Sequence, residues 1–91
     1  MSILVFSNCP ESKVEELGIK SWPIWTCNPS TFEWSYNEKE TCLLIEGKVT
    51  VTPVGGQPVN FSAGDLVIFP AGMNCRWEVH QAVSKHYRFG D

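Results

Sequence analysis

Short segments with alternating apolar and polar side chains, separated by turn residues, run through most of this 91-residue chain. A period of two is typical of half-buried β-strands. Helical periodicity is almost absent, except at residues 11–17, which Pro10 precedes and Gly18 follows, as suits a short helix. The predicted strands are 21–27, 31–36, 40–46, 48–52, 59–61, 66–69, 75–79 and 84–89. The pattern predicts an all-β sandwich or barrel of two antiparallel sheets with one short N-terminal helix.

Two of the connections between these strands look like hairpins. Gly47 predicts a tight turn between strands 40–46 and 48–52. A turn near residues 80–83 could bring His80 across from His86 as a surface metal site, although two ligands alone hold a metal poorly and ordinary strand residues are the simpler interpretation. Pro23 has no N–H to donate, so its strand belongs at a sheet edge or near a strand start.

The size of the chain allows one domain with a thin core. A chain of this length removes only about 60% of its unfolded surface from water. Four Trp, five Phe and two Tyr residues compensate, because each buries a large apolar area. Association would add further burial and would cover exposed sheet edges, so we expect a homodimer.

The charge balance excludes several partners. Seven Lys and Arg against ten Asp and Glu leave a net charge of −3, which argues against nucleic acid. No apolar run reaches the roughly 20 residues that cross a bilayer, and the first residues do not resemble a signal peptide, so we expect no membrane partner and a cytoplasmic location.

Four cysteines without a Cys-x2-Cys pair predict reduced thiols, of which Cys42 and Cys75 lie in the core.

Two spaced motifs narrow the fold. Glu40 and Gly47 fit Glu-x6-Gly, and residues 64–72 fit Gly-x5-Pro-x-Gly. They resemble the cupin signatures Gly-x5-His-x-His-x3-4-Glu-x6-Gly and Gly-x5-Pro-x-Gly-x2-His-x3-Asn. From residue 20 onward the chain is similar to the Cupin-3 (DUF861) group, to which EutQ-like domains and (S)-ureidoglycine aminohydrolase are related. The resemblance implies an RmlC-like jelly-roll barrel, a single domain over 1–91 with its core in 20–90.

The same resemblance implies that the usual metal ligands are missing. In metal-binding cupins three imidazoles and one carboxylate typically hold the ion. Aligned on Glu40, the two first-motif histidine positions hold Trp34 and Tyr36, and the second-motif position holds Cys75. Only Glu40 remains, so we expect no metal and no cofactor, and the aminohydrolase reaction does not carry over. A zinc ion held by Glu40, Cys75 and Tyr36 stays open as an alternative.

The cupin positions also predict which side chains face the interior. The predicted ligand pocket is lined by Trp34, Tyr36, Glu40, Cys42, Cys75 and Trp77. A carboxylate behind aromatic walls needs a partner, and the candidates for Glu40 are Tyr36, Cys42, Lys85 and Arg76. Lys85 also belongs to a small basic cluster, residues 85–88, which could rim an anionic ligand or form a solvated strand face.

Three of these residues are candidate catalytic groups. Glu40 could act as a general acid or base if burial without a cation raises its pKa. Tyr36 could act with it, and Cys75 could act as a nucleophile if a cation lowers the pKa of its thiol.

Three functions follow from this reading. The leading hypothesis is a metal-free cupin that binds a small planar or cyclic ligand between Trp34, Tyr36 and Trp77. The second is a metal-assisted enzyme for a small carbon–nitrogen or sugar substrate. The third is a structural dimer with a filled barrel, which predicts no cavity large enough for a ligand.

Overall fold

A computed structural model describes residues 2–90 of the chain. Its elements, in chain order, are β1 (Leu4–Phe6), α1 (Glu11–Leu17), a 3₁₀ turn (Ile19–Ser21), β2 (Ile24–Cys27), β3 (Ser30–Ser35), β4 (Glu40–Pro53), β5 (Val59–Ser62), β6 (Leu66–Phe69) and β7 (Asn74–Phe89). Each strand pairing is antiparallel. The predicted all-β fold with one short N-terminal helix is confirmed.

Two long strands organise the sheet. The order is β1-β6-β4-β7-β2, while β3 also pairs with β7 and β5 with β4. The first half of β4 pairs with β6 and its second half with β5, so β4 passes through both halves of the fold. Strand β7 does the same with β2 and β3. Side chains from strands that do not pair meet inside, where the ring of Phe69 on β6 lies 5.5 Å from that of Trp77 on β7.

The predicted hairpin at Gly47 is wrong, because β4 continues through it. The β4–β7 register shifts between Leu44 and Val49, which marks a bulge rather than a turn. Gly47 has φ 109°, and a Cβ there would lie 2.7 Å from the Ala82 carbonyl oxygen. Glycine is therefore required by the close approach of the β7 backbone. The bulge also changes which positions face inward, from even-numbered residues before it to odd-numbered residues after it.

The predicted separation of strands 75–79 and 84–89 is also wrong, because β7 runs unbroken from Asn74 to Phe89 and leaves no hairpin between the two histidines. His80 and His86 consequently lie six positions apart on one strand. His80 Nε2 is 2.8 Å from the Thr50 hydroxyl, and His86 Nδ1 is 3.1 Å from the Trp22 carbonyl oxygen. The histidines do not face one another, so they form no shared metal site.

The N-terminal segment covers the outside of the sheet. Helix α1 begins after Pro10 and ends at Gly18, whose φ of 66° and N–H bond to the Glu15 carbonyl close the last turn. Its Val14 packs with Ile19 and Leu66 in a cluster separate from the main core. Strand β1, which pairs with β6, was not among the predicted strands, because three residues are too few to show an alternation of apolar and polar side chains. The edge position expected from Pro23 is confirmed, since β2 starts at Ile24 at the end of the sheet order.

The structure also shows the state of the cysteines and the character of the helices. All four cysteines are free, and Cys42 and Cys75 are buried as predicted. Between residues 2 and 90, no helix has the length and apolar character needed to cross a membrane.

Candidate functional site

An aromatic cavity of about 250 Å³ opens at one end of the fold. The most exposed residues of its lining, Trp34 at 48% and Phe89 at 43%, mark the open side. Strands β2, β3, β4 and β7 and the residue after β3 supply the walls. The lining residues are Trp25, Phe32, Trp34, Tyr36, Glu40, Trp77, Lys85, Tyr87 and Phe89.

Glu40 forms the polar floor of this cavity at the start of β4 and is only 2% exposed. Its Oε1 accepts a hydrogen bond of 2.6 Å from the Tyr36 hydroxyl. Its Oε2 accepts one of 2.8 Å from the Lys85 ammonium. Tyr36 and Lys85 therefore supply the hydrogen bonds and the counter-charge that a buried carboxylate requires. Both were among the four candidates expected from the sequence.

Lys85 completes the floor from β7 and is 5% exposed. Its Nζ lies 4.8 Å from the ring centre of Trp25 and 4.5 Å from that of Trp77. An ammonium group over an aromatic face is stabilised by the negative charge density of the ring. The carboxylate and the two indoles thus enclose a desolvated cation inside the barrel.

The phenol and the two thiols near Glu40 are held in their protonated forms. Burial raises the pKa of Tyr36 far above its ordinary value, and the charge of Glu40 and the hydrogen bond to it add to the effect. Burial raises the pKa of the Cys42 thiol to about 12, although the Lys85 ammonium opposes the rise. Burial also raises the pKa of the Cys75 thiol, against the influence of the Trp77 indole. Both sulfurs are therefore thiols near neutral pH, where a thiolate would be the nucleophile.

The structure brings together four of the six predicted pocket residues, namely Trp34, Tyr36, Glu40 and Trp77. Cys42 is fully buried behind the cavity wall. Cys75 lines a separate, more polar cleft of about 510 Å³, and its thiol donates to the Trp34 carbonyl oxygen at 3.6 Å.

Sequence reasoning missed five lining residues, which are Trp25, Phe32, Lys85, Tyr87 and Phe89. A signal for three of them was present. Lys85, Tyr87 and Phe89 share the odd-numbered face of β7 with Cys75 and Trp77, and a continuous strand would have put them all inside. The assumed break at residues 80–83 concealed this parity.

The residues around Glu40 do not fit a metal ion. Among residues 2–90 no three His, Cys, Asp or Glu side chains converge on a common point suitable for one. Both carboxylate oxygens of Glu40 already accept hydrogen bonds, and one of the two donors is the Lys85 ammonium at 2.8 Å. Two positive charges this close in a poorly solvated interior repel each other strongly. The thiol of Cys75, the third member of the possible zinc set, donates to the Trp34 carbonyl oxygen instead.

Comparisons with known proteins show the family of the chain. The model of the EutQ-like cupin domain family matches residues 14–87. The chain belongs to this family. The chain is 43% identical to a DUF861 family protein from Thermotoga maritima, and the match covers 97% of this chain and 99% of that one with a TM-score of 0.92. These matches confirm the cupin resemblance and the jelly-roll fold that it implied.

More distant structures share the fold over part of their length. The EutQ protein of Clostridium difficile is 24% identical, with 74% of this chain and 52% of that chain covered and a TM-score of 0.68. A DUF861 family protein from Pseudomonas syringae is 27% identical, with 72% and 28% covered and a TM-score of 0.66. No curated protein sequence matches significantly. This chain thus spans about half the length of the Clostridium difficile chain.

Proposed function

We propose that this protein is a metal-free cupin that binds a small, neutral, planar or cyclic molecule in the aromatic cavity. The observation that carries the proposal is the buried Glu40–Lys85 ion pair, with N–O distance 2.8 Å, at the floor of a cavity walled by aromatic rings. An unfilled cavity with a few convergent polar groups is typical of a binding site.

The size and walls of the cavity favour a compact ligand with a flat face. Its volume of about 250 Å³ lies just below the range of about 300–1,000 Å³ that is usual for ligand sites. The rings of Trp34 and Tyr36 meet edge to face at 74°, and Phe32 stacks on Trp77 at 6.0 Å. A planar ring can therefore stack on one wall while its edge meets another.

The charges favour a neutral ligand. Glu40 and Lys85 are the charged residues of the lining, and each neutralises the other. A charged ligand would lose its hydration without gaining a counter-charge. The pair can still orient a polar ligand, since a carboxylate has further lone pairs and an ammonium has three donors. A single amide, hydroxyl or carbonyl group suits this floor.

The remaining functions receive less support. A metal-assisted enzyme would need the oxygens of Glu40 as metal ligands, whereas both already accept hydrogen bonds from Tyr36 and Lys85. Catalysis by these three without a metal would need a thiolate or phenolate, which the raised pKa values of Tyr36 and Cys75 oppose. A filled barrel predicts no cavity, whereas one of about 250 Å³ is open.

Matched ligands that differ only in charge test the proposal. We expect saturation-transfer NMR and tryptophan fluorescence to detect benzamide, and to show benzoate and benzamidine binding about tenfold more weakly or not at all. Replacement of the exposed wall residue, Trp34→Ala, should weaken benzamide binding by about 2–10-fold. Phe6→Ala is the control, because Phe6 is similarly exposed but lies on β1, outside the cavity.

Three results would overturn it. One is the absence of benzamide binding, and another is an equal loss in Trp34→Ala and Phe6→Ala. The third is stoichiometric metal in elemental analysis that disappears in the Glu40→Gln, Cys75→Ser double variant, which would support the metal-assisted enzyme.

A homodimer is part of the proposal. It is supported by the small core and by exposed apolar side chains at Leu4, Phe6 and Ile24. Light scattering after size-exclusion chromatography should give twice the 10.2 kDa chain mass, and a mass of one chain would contradict it.

A further inference from the structure

We propose that Lys85 is a carbonyl-reactive amine, which condenses with a small aldehyde or ketone in the cavity to form a protonated Schiff base. The inference rests on the proposed ligand cavity but adds covalent chemistry to it. It concerns the buried primary amine of the lining, which reversible binding uses only as the counter-charge of Glu40 and as a hydrogen-bond donor.

The position of Lys85 separates it from exposed lysines of the chain. Lys13, Lys20 and Lys48 are exposed to solvent, whereas Lys85 is 5% exposed and lines the cavity. A lysine that is removed from water in an apolar pocket is a recurrent nucleophile towards carbonyl groups. The aromatic walls bring a flat carbonyl compound next to this amine and to few other polar groups.

A proton acceptor for the ammonium is already in place. Lys85 Nζ donates to Glu40 Oε2 at 2.8 Å, so the proton can move along an existing hydrogen bond. The transfer gives a neutral amine and a neutral carboxylic acid, and the net charge of the pair does not change. The Tyr36 hydroxyl, 2.6 Å from Oε1, holds the carboxyl group in position throughout.

The condensation balances without any further reagent. The nitrogen lone pair of the amine attacks the carbonyl carbon, and the carbonyl oxygen takes the proton from Glu40. Glu40 then removes a second proton from the nitrogen and returns it to the hydroxyl group, which leaves as water while the nitrogen–carbon double bond forms. In sum, an ammonium and a carbonyl compound give an iminium and water, with no oxidation or reduction.

The surroundings of Lys85 suit the product as well as the resting state. The iminium is a cation at the position of the ammonium, so it keeps Glu40 as its counter-ion. The rings of Trp25 and Trp77, within 4.8 Å of Nζ, face the same positive charge. The carboxylate and the two rings that stabilise the ammonium therefore also stabilise the iminium product.

Reductive trapping tests the inference on the native protein. Benzaldehyde is added at limiting concentration with sodium cyanoborohydride, which reduces an iminium to a stable secondary amine, and the sites are mapped by peptide mass spectrometry. We expect Lys85 to be modified about tenfold faster than Lys13, Lys20 or Lys48. Benzamide should slow the modification of Lys85 and leave the exposed lysines unaffected.

Matched variants give the control. Lys85→Arg keeps the positive charge but cannot form the adduct. Lys48→Arg should leave the fast modification of Lys85 unchanged. Adducts confined to exposed lysines, with Lys85 unmodified, would overturn the inference. If benzamide still binds in that case, the proposed ligand cavity stands and only the covalent chemistry fails. If benzamide does not bind either, both fail.

Discussion

The two apolar clusters of this protein solve different problems. The outer cluster beneath α1, formed by Val14, Ile19 and Leu66, is purely apolar. The main interior buries a carboxylate and an ammonium among its aromatic rings and leaves a cavity beside them. Apolar side chains in place of a buried ion pair are often equally or more stable. The contrast indicates that the outer cluster serves stability, while the interior gives up some stability to hold the polar groups of a site.

The largest contrast should come from breaking the buried pair. We expect Lys85→Met to lower the free energy of unfolding by about 3–5 kcal/mol, because Glu40 would remain buried without a counter-charge. Urea unfolding followed by circular dichroism measures the change. Lys20→Met is the control, since it breaks the solvated Lys20–Glu11 pair, of similar length at 2.7 Å, and should cost less than about 1 kcal/mol. Equal losses in the two variants would contradict the contrast.

Removal of one hydroxyl should have a smaller effect. Tyr36→Phe leaves Glu40 Oε1 without its 2.6 Å donor and should cost about 1–3 kcal/mol in the same unfolding experiment. Tyr87→Phe is the matched control, because Tyr87 lines the same cavity but its hydroxyl makes no hydrogen bond to residues 2–90. A control variant that loses as much stability as Tyr36→Phe would show that the bond to Glu40 contributes little.

Alkaline pH should act on the interior through Cys42. Its pKa rises from 9.0 to about 12 on folding, so the thiol is protonated in both states below pH 9. Above pH 9 the unfolded chain loses this proton first, and stability falls until the folded thiol ionises near pH 12. We expect Cys42→Ala to remove up to about 1.4 kcal/mol per pH unit from this decline. Cys9→Ala is the control at a half-buried thiol, and an unchanged decline in Cys42→Ala would contradict the assignment.

The smallest expected effect separates stability from binding. Ile19→Val trims the fully buried side chain of the outer cluster and should cost about 0.5–1.5 kcal/mol without changing benzamide affinity. Trp34→Ala should show the reverse, with weaker binding and little loss of stability, since Trp34 is half exposed. Unfolding and titration of both variants form a crossed comparison. A change of affinity in Ile19→Val would mean that the two clusters are coupled.

Much of the fold was predictable from local patterns. Alternation and turn residues located β2, β3, β5 and β6 within a few residues, and Pro10 and Gly18 marked both ends of α1. The motif spacing put Trp34, Tyr36, Glu40 and Trp77 around one cavity. Strand β1 was not predictable, because its three residues are held by pairing with β6 and not by a pattern of their own.

The two wrong predictions both concern β4 and β7, the long strands that pair with each other. Gly47 was read as a turn because glycine after a strand usually marks one. Its actual cause, the backbone of β7 at 2.7 Å from the missing Cβ, involves residues 35 positions away and has no local signal. The same false break in β7 left Lys85 open between a partner of Glu40 and a member of a solvated basic cluster, although its parity matched that of Trp77.

The amino-acid sequence alone determined the class of fold, the positions of most strands and the absence of histidines from the cupin ligand positions. Those features depend on side-chain type and on the two-residue period of a strand, which are properties of neighbouring residues. Only the tertiary structure decided that Lys85 supplies the cation for Glu40, since the two side chains are 45 residues apart and meet through the pairing of β4 with β7. The charge of a buried site depends on which side chains share the same poorly solvated space, and that is settled by packing.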